Sequence, residues 1–209
     1  MGGARIGFLA LTLVTALFGW RAIEGWWRGL AYIEGKRAVE EERYKEGIDA
    51  LAHGAFGADK ATALWFRAQG KLRHWQRLVA EQKPREETNA MLVETFQDYT
   101  EALSLSPSCG WYWVDIADVY HLWDGFQRLE QGNLLSLVGY GPWAYVGHQG
   151  RVALGLAEVG IEQEPTTFTF RDRLALMYLN YELEEPALDI IRESALIQPL
   201  YYVHDWGNP

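Results

Sequence analysis

The residues best suited by type to do chemistry lie on one short stretch: Asp115, Asp118, His121 and Asp124. Carboxylates and an imidazole can ligate a divalent cation or carry out general acid–base work. Each follows the last by three residues, and on an α-helix every such step falls about 60° short of a full turn. All four therefore cannot share a face, and only neighbours could chelate together. The reading is a polar edge beside a packing face, with His121 hydrogen-bonded inside the fold. An enzyme using Asp115, Asp118 and His121 ranks well behind it. Cys109 follows Ser108 at an expected helix start, where the helix dipole would favour a thiolate, but the sequence supplies no base beside it. Its role is read as structural. His53, His74, His148 and His204 are scattered and carry no haem-attachment motif. The chain also lacks a phosphate loop with its lysine, H-E-x-x-H, G-x-S-x-G and C-x-x-C. The glycines between 139 and 155 follow no strand pattern and make no dinucleotide fingerprint. The expectation is a protein that is not an enzyme and has no cofactor.

Composition narrows the classes further. The chain has 209 residues, 28 acidic against 19 basic, for a formal charge of −9. A nucleic-acid partner is not expected, because displacing counterions from a phosphate backbone needs a basic face. One cysteine excludes an internal disulfide framework. Ten tryptophans and eleven tyrosines suit a membrane interface or an aromatic-packed helical stack.

Residues 6–20 carry no charge, and residues 6–23 contain only Arg21. At 1.5 Å per residue this is roughly 27 Å, enough for a hydrocarbon core. Trp20, Arg21, Trp26 and Trp27 read as an interfacial belt, with the Arg21 head reaching the headgroups. No small-residue cleavage site follows, so an uncleaved anchor is expected over 1–31, with the lipid bilayer a partner through residues 6–23. Two rules disagree on orientation. Arg21, Arg28, Lys36 and Arg37 place the domain on the cytoplasmic side, whereas a short basic tail before an apolar run is the layout of a bacterial signal anchor. Orientation stays open, with the periplasmic side of a bacterial inner membrane favoured.

Beyond residue 31, helical windows dominate and no sustained alternation appears. Helices are expected over 32–52, 62–82, 86–105, 110–123, 126–138, 143–159, 170–183 and 186–197. The acidic run at 40–46 reads as a solvated helix face with pairs such as Glu41–Lys45. From Gly110, Trp113 falls at the fourth position of a 34-residue repeat, Ile116 and Ala117 at the seventh and eighth, and Tyr120 at the eleventh. Tyr99, Ala102 and Pro107 close the preceding unit. A second window places Ala175, Tyr178, Ala187 and Ile191 at the small, aromatic, small and large positions and closes at Pro199. These spacings resemble the tetratricopeptide-like family over 86–140 and 168–199. The departures are Leu129 where Ala is usual and a glycine-rich helix out of register. The resemblance implies an all-α solenoid of paired antiparallel helices over 32–199. A narrower resemblance, carried by 104–117, 141–143 and 151–155, is to singly anchored accessory proteins of bacterial exopolysaccharide export.

The functional expectation is a non-catalytic, membrane-anchored scaffold, assembly factor or accessory subunit of a larger membrane complex, whose partners are other protein subunits. The competing reading is an intrinsic structural subunit of an energy-converting membrane complex, with the anchor packed on other transmembrane helices. Trp111 and Trp123 are candidate partner contacts, as are Tyr201, Tyr202 and Trp206 in the aromatic tail 200–209.

Overall fold

The computed structural model describes the backbone of residues 2–54, 60–131 and 146–198, and the side chains of those residues except 2–12 and 126–131. Among them are eight helices and no strand: α1 (Gly2–Glu40), α2 (Tyr44–Gly54), α3 (Lys60–Ala80), α4 (Arg85–Leu105), α5 (Gly110–Gln131), α6 (His148–Gln163), α7 (Phe168–Asn180) and α8 (Glu184–Ile197). The chain divides into two compact units, Met1–Asp98 and Tyr99–Pro209.

In the first unit α1 packs on α2 and α2 on α3. The expected helix over 32–52 is two helices. They break within the acidic run, at Glu42, whose φ is 62°. There the Arg43 N–H donates to the Ala38 carbonyl (2.8 Å) and the Glu42 N–H to the Val39 carbonyl (3.2 Å). This is a left-handed cap that returns the chain antiparallel. Glu41 accordingly accepts from Arg37 and Arg43. The return is close: a Cβ on Gly47 would sit 2.9 Å from the Gly35 carbonyl oxygen, and one on Gly35 would sit 3.0 Å from that of Gly47. Only residues without a side chain let the two backbones meet there.

The same cap recurs twice. Gln82 (φ 56°) ends α3, with Lys83 N–H donating to Leu78, and Glu182 (φ 59°) ends α7, with Leu183 N–H donating to Tyr178. Neither Gly nor Pro marks these turns, so propensity rules do not find them.

In the second unit α5 pairs with α6, α6 with α7 and α7 with α8. Its core includes Ala117, Ala153, Ala157, Leu174, Tyr178, Tyr181 and Ala187. A break was expected at Asp124-Gly125, but α5 runs through it. A lone glycine in a helix costs only about 1 kcal/mol. The windows 126–138 and 143–159 fall partly outside the described residues. Within them the helix that starts at His148 is α6.

Second-helix positions repeat with one spacing. Gly47, Leu51 and Gly54 on α2 are buried, as are Thr95, Tyr99 and Ala102 on α4, Ala153, Ala157 and Gly160 on α6, and Ala187 and Ser194, with half-buried Ile191 between them, on α8. Each triplet steps by four and then three residues, and prolines 107, 165 and 199 follow five residues after the last three triplets. The glycine-rich helix expected to be out of register is therefore the second helix of the repeat that α5 begins. What separates them is an insertion after the first-helix residue Trp123. Gly160 supplies the close contact: a Cβ there would meet Val114 Cγ2 at 2.5 Å and the Gly110 carbonyl at 3.1 Å.

The expected anchor needs a correction. Among the described residues no helix is long and apolar enough to cross a membrane. Residues 6–12 of the expected span lie outside the described side chains, and from residue 13 the apolar run is interrupted by Arg21, Glu24 and Arg28. Nor does α1 end near residue 31; it continues into the repeat that packs on α2.

Candidate partner-binding surfaces

The acidic stretch that opens α5 is tied to α7. Arg173 Nη1 donates to Asp115 Oδ1 at 2.5 Å and to Asp118 Oδ2 at 3.0 Å. Asp115 is buried and Asp118 half-buried. Burial pushes the Asp118 carboxyl up to about 7; Arg173 opposes that shift and Asp115 adds to it. The Arg173 guanidinium lies 5.4 Å from the centre of the Trp111 ring, which packs edge-on against Phe170 at 4.8 Å. Trp111 thus lies along the α5–α7 seam, half-buried rather than projecting free. His121 contacts the Tyr181 hydroxyl through Nδ1 (3.0 Å) and the Asn180 amide through Nε2 (3.1 Å). With Asn180 donating to Nε2, Nδ1–H is the donor to Tyr181. Groups that could have been ligands are therefore occupied by one another, and no cluster able to hold a metal ion is present among the described residues.

The repeat-packing residues are placed as follows. Tyr99, Ala102, Ala117, Ala175, Tyr178 and Ala187 are buried. Trp113 and Tyr120 are half-buried, and Pro107 is exposed. Trp113 donates through Nε1 to the Pro107 carbonyl at 2.8 Å, which ties a first helix to the end of the preceding unit. Tyr178 donates to Glu158 at 3.1 Å. Its phenol is pushed up to about 12 by burial first and by the Glu158 charge second. Cys109 is half-buried and free, and burial raises its thiol, against the thiolate that its place before α5 suggested. At that helix end the Gly110 N–H is capped by Glu164 from the end of α6 (2.8 Å). Trp123 is half-buried, 6.2 Å from the Tyr120 ring. Pro199, Tyr201, Tyr202 and Trp206 lie outside the described residues.

A second buried charge group joins α3 to α4 in the first unit. Arg67 binds Asp98 through two bonds (2.5 and 2.7 Å), and Lys71 reaches Asp98 at 3.0 Å and Glu94 at 3.1 Å. Lys71 and Asp98 are both buried. Sequence reasoning missed this group because its partners are 31 residues apart on an interval with no motif.

Exposed apolar surface is concentrated on α1. Leu13, Val14, Leu17, Phe18, Trp20, Ile23, Trp26 and Trp27 are all at least half exposed. Arg21 is exposed beside them. Where α1 passes the end of α2, a cleft of about 550 Å³ is lined by Trp20, Ile23, Glu24, Trp27, Arg28, Ala31, Ala52 and His53. The two units also differ in charge: residues 1–98 hold 14 basic and 13 acidic residues, residues 99–209 hold 5 and 15.

Paired helices, small residues at the crossings and a repeated left-handed turn define an all-α, tetratricopeptide-like helical-repeat protein. The fold is similar to that in two crystal structures of MamA. One aligns with a TM-score of 0.56 at 11% identity, covering 85% of this chain and 81% of the other; the second gives 0.56 at 10%, covering 85% and 76%. At such identity the likeness is one of fold. No protein-family model matches the chain, and no curated protein matches it.

Proposed function

We propose that the chain is a non-catalytic scaffold or accessory subunit that holds partner proteins on its helical repeats, fixed to a membrane by the first part of α1. The observation that carries this reading is the pairing of a closed repeat architecture with a helix whose first described side chains are apolar and exposed. A soluble monomer rarely leaves so large an apolar patch uncovered. The reactive side chains of α5 are engaged in seams between helices, which favours a packing role over catalysis. The acidic charge of residues 99–209 suits partners with basic surfaces. The location we assign is a bacterial inner membrane, with the repeats on the periplasmic side.

The test is extraction of native membranes in mild detergent, size separation, and identification of proteins that travel with the chain at constant ratio. A scaffold exchanges partners and survives detachment from its anchor. A chain found only in one fixed stoichiometry, and unstable alone, is instead an intrinsic structural subunit whose α1 packs on other transmembrane helices. A chain that leaves the membrane in salt or carbonate without detergent refutes the anchor.

A further inference from the structure

The cleft between α1 and the end of α2 has two kinds of wall. Trp20, Ile23 and Trp27 lie on α1 at steps of three and four residues, the spacing of one helix face, and Trp27 is 62% exposed. Arg28 stands at the other side, bound through Nη2 to Glu24 Oε1 at 2.5 Å and still about one-third exposed. His53 completes that side from the last turn of α2. Its Nδ1–H donates to the Asp49 carbonyl at 2.8 Å, so Nε2 is the ring atom that gains a proton when the ring charges. Ala31 and Ala52 keep the cleft open where α1 and α2 approach. The volume, about 550 Å³, is that of a small-molecule site rather than a packing defect.

We propose that this cleft seats one phospholipid, its phosphodiester on Arg28 and His53 and the upper part of an acyl chain against Trp20, Ile23 and Trp27. Two features favour a lipid over a protein segment. The apolar wall is continuous along α1 with exposed Phe18, Leu17, Val14 and Leu13, so a chain leaving the cleft meets apolar surface all the way. Between residues 20 and 37 the charges are Arg21, Arg28, Lys36 and Arg37 against Glu24 and Glu34, a net positive collar that complements phosphate. Indole rings beside an arginine suit the headgroup level of a bilayer. The inference rests on the membrane reading of α1 and adds a specific, stoichiometric lipid to it.

The experiment uses the full chain in mild detergent with added phosphatidylglycerol, and counts retained lipid by native mass spectrometry. One lipid per chain is expected, with diacylglycerol of the same chains retained about tenfold less for want of the phosphate. Arg28→Gln and Trp27→Ala should each lower retention about fivefold or more with an unchanged melting temperature, since neither side chain is buried. Retention equal to that of diacylglycerol, or unaltered in both variants, overturns the proposal. So does equal retention of free glycerol 3-phosphate, which would make the cleft a soluble-phosphate site. A parallel flotation assay with phosphatidylcholine–phosphatidylglycerol vesicles separates the two readings. A chain that fails to float refutes the anchor and the lipid site with it, whereas a chain that floats yet retains no single lipid refutes the cleft alone.

Discussion

Alanine at position 47 and alanine at position 155 should move stability in opposite directions, although both replace a helical glycine. The helix-propensity gain of Gly→Ala is about 1 kcal/mol in a helix interior. At Gly155 a new Cβ meets nothing within 4 Å, so α6 should keep about 0.5–1 kcal/mol of that gain. At Gly47 the Cβ would lie 2.7 Å from Val39 Cγ2, 2.9 Å from the Val39 nitrogen and 2.9 Å from the Gly35 carbonyl oxygen. Two of those three atoms are backbone and cannot rotate away, so α1 and α2 must separate. Overpacking of that kind costs about 1–3 kcal/mol, toward the upper end where backbone must yield. After the propensity gain, Gly47→Ala should lose about 1–2 kcal/mol. The assay is hydrogen exchange by mass spectrometry on the full chain in mild detergent, which reads each unit by itself. Exchange in α2 should accelerate by about 5- to 30-fold in Gly47→Ala, and exchange in α6 should slow by about 2- to 5-fold in Gly155→Ala. If Gly47→Ala slows exchange in α2 as Gly155→Ala does in α6, the close crossing of α1 and α2 is wrong.

Removing the Asp98 carboxylate by Asp98→Ala leaves Arg67 and buried Lys71 without their shared anion; the first unit should lose about 3–5 kcal/mol, and a midpoint in urea unchanged by the substitution would count against the buried network. Folded Asp118 holds its proton up to about 7, whereas the unfolded chain releases it near 3.9, so stability should fall as pH rises through that window. Asp118→Asn should flatten this slope, adding about 1 kcal/mol at pH 8, scaled down for a side chain 34% exposed, and nothing at pH 5. Equal gains at both pH values would show that the substitution acts through something other than titration. Glu182→Gly should raise the melting temperature through a gain of about 0.5–1 kcal/mol, because glycine adopts φ 59° without strain, while Glu182→Ala should not; a rise in both would exclude the turn as its source.

The parts of the fold legible in the sequence are those in which neighbouring residues carry the signal. Helical periodicity found all-α structure, and α4, α7 and α8 within a few residues of their ends. The triplet Trp113, Ala117 and Tyr120 marked a first helix, and Ala175, Tyr178 and Ala187 marked a tight pair, because both halves of that repeat lie within 34 residues. The same pattern was invisible in three other pairs. The step from Gly47 to Thr95 is 48 residues and from Thr95 to Ala153 is 58, so no single period aligns them. Charge hid the α1–α2 turn, since the run at 40–46 reads as helix surface while Glu42 adopts a conformation seldom seen outside glycine.

The sequence by itself determined helix content, the small residues where helices cross and the apolar start of α1, because local sterics and burial preference act on each residue directly. Only the tertiary structure decided which small residue meets which. It paired Gly35 with Gly47 and Gly160 with Val114, placed Asp115 and Asp118 on Arg173, and built a cleft from two helices. Those outcomes depend on close packing and on desolvated charge between residues far apart in the chain, and neither force leaves a mark on the spacing of neighbours.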